Sequence, residues 1–186
     1  MHDRKTIPLA DDDRDTIKTL IWMRIPPLVV GSILGFILSF ATSRFEEVLS
    51  KRVEIAFFIP FVVYMADAVG TQTQTIFIRD LSRGTAKFSN YLLKETILGI
   101  ILGLFFGLLS WIVVSLWFNS ARLATAVGLA TFTAIGTAPF VAILITKALQ
   151  LEHQDPAVGA GPIATVIQDT ISVVLYGLIA SAILLS

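Results

Sequence analysis

The sequence predicts an all-α integral membrane protein of five transmembrane helices. Three observations carry this. The 186 residues are 55% hydrophobic and only 15% charged, with a mean hydropathy of +0.79, whereas a soluble domain carries about a quarter charged residues. Five long apolar stretches alternate with short charged or Gly/Pro-containing breaks. The Lys and Arg residues are also distributed unevenly between the two sets of breaks.

Residues 1–20 form a short polar tail ahead of the membrane domain, residues 21–186. The tail lacks the apolar core of a cleavable signal peptide. Its cluster of Asp11, Asp12, Asp13 and Asp15 is interleaved with Arg14 and Lys18, as on a solvated helix. The first span is predicted from about Arg24 to Thr42, with Pro26 and Pro27 in its first turn, where missing amide donors do least harm. Gly31, Gly35 and Ser39 line one small-residue face.

The second span is predicted as one long helix over residues 53–80, because its two apolar runs are each too short to cross about 30 Å. The density of Asp67, Thr71, Gln72, Thr73, Gln74 and Thr75 leaves open a break near Gly70. Polar groups at membrane depth survive only against protein or water, so this segment either lines an interior path or hydrogen-bonds to another helix. The third span, residues 94–118, carries Gly99, Gly103 and Gly107 at steps of four and ends near Trp111 and Trp117. With no acid after Glu95, it reads as a structural wall. The fourth, residues 123–147, is rich in Ala, Gly and Thr, with a kink allowed at Pro139. Glu152, His153 and Asp155 in the next linker have no spacing that fixes a metal geometry and read as a solvated loop.

The fifth span, residues 159–185, places Asp169 near its middle. A charged side chain there costs about 2.5–3.5 kcal/mol on insertion scales and usually faces a polar path. Pro162, Thr165, Asp169, Ser172 and Tyr176 recur at helical spacing and share one face, as a cation pathway requires. The alternative is that Asp169 is protonated or pairs with a neighbouring helix for structural reasons.

With the N-terminus inside, ten Lys and Arg residues fall on the inner side and four (Arg44, Lys51, Arg52 and Arg122) on the outer side. This predicts a cytoplasmic N-terminus, an external C-terminus and a basic cytoplasmic loop over residues 79–94. The chain has no cysteine, two histidines and no net charge, which excludes disulfides and thiolate or His-rich metal sites and gives no basic face for nucleic acid. No nucleophile–base pair, HExxH or phosphate loop is present, so no enzyme activity and no cofactor are expected.

Three motifs stand out along the chain. The first is Arg24-Ile-Pro-Pro-Leu ahead of the glycine-containing span. The second is Ile59-Pro60, then Val69-Gly70-Thr71-Gln72, then an Arg-x-Leu-x-x-Gly pattern at Arg79, Leu81 and Gly84. The third runs from Asp155-Pro156 through Gly161-Pro162 to Asp169. Together they resemble the membrane domain of the MgtE family of magnesium transporters over about residues 22–185.

The resemblance implies a multi-pass protein of the bacterial inner membrane, a five-helix homodimer with the ion path on its axis and membrane lipid around it. Two Asp169 carboxylates would hold a hydrated cation, with Mg2+ as the transported ion. Magnesium gives up water reluctantly and suits one or two carboxylates acting through retained waters. Thr165, one turn earlier, would offer its carbonyl or hydroxyl to such water, and Ser172 would line the path. Asp67, Thr71 and Gln72 are further candidates. Family members often carry Gly-Gly-Asn before the Val-Gly-Thr-Gln step; here Ala68 stands in place of that Asn, beside Asp67. The family's helical sensor domain and CBS pair do not fit in the 20 preceding residues, which places the expected gate in the membrane helices or another chain.

Two other readings compete with a divalent-cation channel or transporter. One is a carrier coupled to protons or sodium through Asp67 and Asp169. The other is a non-transporting scaffold subunit that meets a partner through the Gly99/Gly103/Gly107 face and the basic loop. Magnesium, calcium and manganese all suit carboxylate and carbonyl oxygens, so the donor types do not rank them.

Overall fold

A computed structural model describes residues 10–151 and 156–186. Glu152, His153 and Asp155 lie outside the described residues, as does His2. The elements run α1 (Ile17–Ser43), α2 (Glu46–Lys51), a 3-10 helix (Val53–Phe58), α3 (Ile59–Ser82), α4 (Phe88–Phe118), α5 (Ala121–Leu151) and α6 (Pro156–Leu184). Among the described residues five segments are long and apolar enough to cross a bilayer: α1, the 3-10 helix with α3, α4, α5 and α6. The predicted fold class and span count hold.

Several predicted boundaries move. α1 begins at Ile17, where the Thr16 side chain accepts from the Thr19 amide and caps the helix. Pro26 and Pro27 therefore lie inside α1, not in its first turn. Arg24 turns back to the polar tail and pairs with Asp12 at 2.8 Å. The helix continues through Gly70 without a break. The change of geometry falls earlier, where the 3-10 helix gives way to α3 with Pro60 in its first turn. α4 begins at Phe88, six residues ahead of the predicted span.

α5 is the centre of the bundle and packs against α3, α4 and α6. Its Ala124, Val127, Ala130, Ala134 and Ala138 are all fully buried. Small side chains let three helices approach at once, and close packing is the main force between helices in lipid. The α4–α5 contact is a glycine seam. A Cβ on Gly103 would lie 2.6 Å from the Phe132 carbonyl oxygen, and one on Gly107 would lie 2.8 Å from that of Gly128. The seam is internal, so the face that a scaffold subunit would offer a partner is already occupied by α5. Only Asn119 and Ser120 connect the two helices, with Asn119 left-handed at φ 48°.

At one end of the bundle, the Tyr176 hydroxyl donates to the Ile55 carbonyl at 2.7 Å and ties α6 to the 3-10 helix. Phe58 meets Trp117 and Phe118 edge-on there, and Arg122 reaches the Ser186 carbonyl. On α2, Lys51 pairs with Glu47 at 2.7 Å and, through that hydrogen bond and its charge, holds the Glu47 carboxyl below the ordinary range. At the other end, Tyr91 donates to Asp80, which also takes Arg79, and Thr73 donates to Glu95 across α3 and α4 at 2.7 Å. α1 has no buried residue and packs chiefly on α6.

Candidate ion-binding crevice

The polar residues of α3 and α6 meet over the alanine face of α5. Gly70, Thr71 and Gln74 stand three, four and seven residues after Asp67 on α3, and so share one face with it. That face looks onto Thr165 and Gln168 of α6, and Ala138, Ala142 and Ala164 complete the walls of a narrow crevice. Gly70 lies close to α5 there: a Cβ on it would stand 3.6–3.7 Å from Ala138, in ordinary van der Waals contact.

The hydroxyls of the crevice differ from others in the bundle. Thr131, Thr137, Thr146 and Thr170 each return their hydrogen to a carbonyl one turn back on their own helix, a common way to satisfy such groups away from water. Thr71 and Thr165 make no side-chain hydrogen bond among the described residues, nor does Asp67. Thr71 is exposed, whereas Asp67 and Thr165 are partly buried.

Asp169 lies beside the crevice, half-buried on α6. Its Oδ1 is buried without a hydrogen-bond partner. Asp67 is near enough for the two carboxylates to feel each other's charge. Among the described residues no Lys or Arg pairs with either acid. An acid at membrane depth with no countercharge is costly, and a cation beside it removes part of that cost. Among the described residues no group of three or more His, Cys, Asp or Glu comes together, so any ion held here relies on neutral oxygens as well.

The structure thus brings together Asp67, Thr71, Thr165 and, alongside, Asp169. It sets two candidates apart. Gln72 is not among the crevice-lining residues; Gln74, two residues on, takes the place in the crevice. Ser172 is fully buried and receives a hydrogen bond from Gln168 Nε2 at 3.2 Å, within the packing of α6. Tyr176, on the same predicted stripe, serves the 3-10 helix instead.

Gln168 is the residue that sequence reasoning passed over. It is only 3% exposed, and its side chain spans from α6 to the Ala134 carbonyl on α5 at 3.4 Å. A signal was present, since an amide one step from an intramembrane acid is itself unusual, but its role needs α5 placed beside it.

Comparison with known proteins identifies the family. Residues 59–179 match the model of the MgtE family, described as divalent cation transporter. The magnesium transporter MgtE of Enterococcus faecalis is 32% identical over 161 residues, 85% of this chain and 36% of the relative. That of Bacillus subtilis is 29% identical over 164 residues, 87% of this chain and 36% of the relative. That of Thermus thermophilus is 26% identical over 162 residues, 84% of this chain and 35% of the relative. The chain therefore spans about a third of the length of these relatives, and the match includes the crevice and Asp169. It belongs to the MgtE family of divalent cation transporters.

Proposed function

We propose that this chain forms the ion-translocating membrane part of a magnesium transporter in the bacterial inner membrane. The observation that carries the reading is Asp169. It is a half-buried acid in the middle of a membrane-spanning helix, with one oxygen unpartnered and a second acid, Asp67, close by. The substrate follows from the relatives, which are named as magnesium transporters, and from the donors, which are hard oxygens suited to an ion that keeps its waters.

In this reading two copies associate so that their Asp169 carboxylates face a common axis and hold one hydrated Mg2+ between them. Thr165, a turn away, orients the retained water. Asp67 and Thr71 extend the polar lining, while Ser172 fixes Gln168. The N-terminus lies in the cytoplasm and the C-terminus outside, as the ten-to-four distribution of Lys and Arg favours.

The test is magnesium flux into liposomes holding the purified protein, wild type beside Asp169→Asn, with calcium and manganese offered in turn. The expected result is wild-type uptake of magnesium that disappears in Asp169→Asn while the variant keeps its oligomeric size. Undiminished flux through a folded Asp169→Asn protein would sink the assignment.

A further inference from the structure

We infer that the crevice between α3, α5 and α6 binds one small monovalent cation of the sodium type within a single subunit, on the Asp67 carboxylate, the Gln168 amide oxygen and the Thr71 hydroxyl. The inference shares Asp67 with the transport path proposed above, but it does not need Asp169 to bind magnesium.

Gln168 supplies the first argument. Its Nε2 faces the Ala134 carbonyl at 3.4 Å and the Ser172 hydroxyl at 3.2 Å. A carbonyl can only accept, so the amide nitrogen must be on that side, and the orientation of the side chain follows. Oε1 is then turned the other way, and it is buried with no hydrogen-bond partner. A buried acceptor left unpaired costs about 1–3 kcal/mol. Yet the residue is 97% buried, being 3% exposed, and it lines the same crevice as Asp67, Thr71, Gln74 and Thr165.

The second argument is the balance of donors and acceptors. The Asp67 carboxylate and Gln168 Oε1 accept only. Asp67 has no ion pair or hydrogen bond among the described residues, and the Thr71 and Thr165 hydroxyls bond to neither group. A cation satisfies the carboxylate, the amide oxygen and a hydroxyl oxygen together and cancels the charge of Asp67.

Size and charge choose the class of ion. The space at the centre of the crevice is about 10 Å³, room for roughly one water-sized particle. Gly70, Ala138, Ala142 and Ala164 wall it closely. Magnesium keeps several waters unless a nearly ideal octahedron replaces them, and such a shell does not fit. One carboxylate with neutral oxygens also matches a single positive charge better than two. A bare monovalent ion meets both conditions, and its ligands lie on α3 and α6, so it would clamp these helices together across α5.

The experiment is a thermal melt of the purified protein in detergent, with a chelator removing divalent ions, at one ionic strength in sodium, potassium or choline chloride. Radiolabelled sodium binding is measured alongside. The expected result is a higher melting temperature in sodium than in choline and one ion bound per subunit. Asp67→Asn and Gln168→Met should each abolish the sodium-specific rise and weaken sodium binding about tenfold or more. Tyr176→Phe, which lies outside the crevice, should keep both. If Asp67→Asn fails to fold, Thr71→Val, which keeps shape and removes the hydroxyl, should still weaken sodium binding. Equal melting in sodium and choline would overturn the inference, as would a sodium response that survives in both Asp67→Asn and Gln168→Met. Loss of magnesium flux in Asp169→Asn beside a sodium response in the wild type supports both readings. A missing sodium response beside intact wild-type magnesium flux overturns this one alone.

Discussion

Tyr176 shows a polar side chain at membrane depth serving the scaffold rather than an ion. Its hydroxyl is buried and closes on the Ile55 carbonyl, itself in a fully buried residue. Tyr176→Phe leaves that carbonyl unpaired and should lower stability by about 1–3 kcal/mol, seen as a lower melting temperature in detergent. Magnesium flux per folded protein should remain, because Tyr176 is not among the crevice-lining residues. The sequence places Tyr176, Ser172, Thr165 and Asp169 on one face, and helical periodicity is right about that. Periodicity is silent on depth: within the same face Tyr176 and Ser172 turn into packing, whereas Thr165 borders open space. The role of Gln168 was hidden for the same reason, since its orientation depends on a carbonyl 34 positions away in the chain.

At the scale of the helix, the glycines of α4 were legible and those of α1 only in part: a Cβ on Gly31 would meet Pro162 of α6 at 3.7 Å. Both runs step by four, yet Gly103 faces the backbone of α5, while Gly35 has nothing within 4 Å of where a Cβ would stand. Gly103→Ala should force α4 from α5 and cost about 1–3 kcal/mol, as overpacking does. Gly35→Ala should leave the melting temperature unchanged. The two variants melted side by side provide the check, and a clear drop for Gly35→Ala would place a neighbouring chain against α1. The spans themselves were legible because apolar length is a strong signal. Their ends were not. Helices continue past the hydrocarbon boundary into charged sequence, as at Ile17 and Phe88, where a hydropathy reading stops.

At the scale of the whole molecule, the chain presents apolar side chains on nearly every side. Trp22, Phe36 and Phe40 of α1 are each at least 67% exposed, as is Leu116 of α4 at 82%. In the function proposed above, lipid or a second copy covers them. The proposed dimer makes a sharp prediction, because the chain has no cysteine. Asp169→Cys would carry its only thiol, and a short bifunctional thiol reagent should join two subunits through it in membranes. Monomer alone after full labelling would remove Asp169 from the dimer axis.

The pairing of α1 with α6 has a consequence for the order of synthesis at the membrane. Of the five spans, the one translated first docks chiefly on the one translated last. α1 must therefore wait in lipid while the other four are made. It is suited to waiting, since it buries no side chain of its own and has a mean hydropathy of 1.9. α6 meets the opposite circumstance. By the time Asp169 and Gln168 leave the ribosome, α3, α4 and α5 have already been made, with α4 and α5 joined through only two residues. The span that lipid tolerates least is thus inserted beside the surfaces that receive it, and its arrival gives α1 a place to stop.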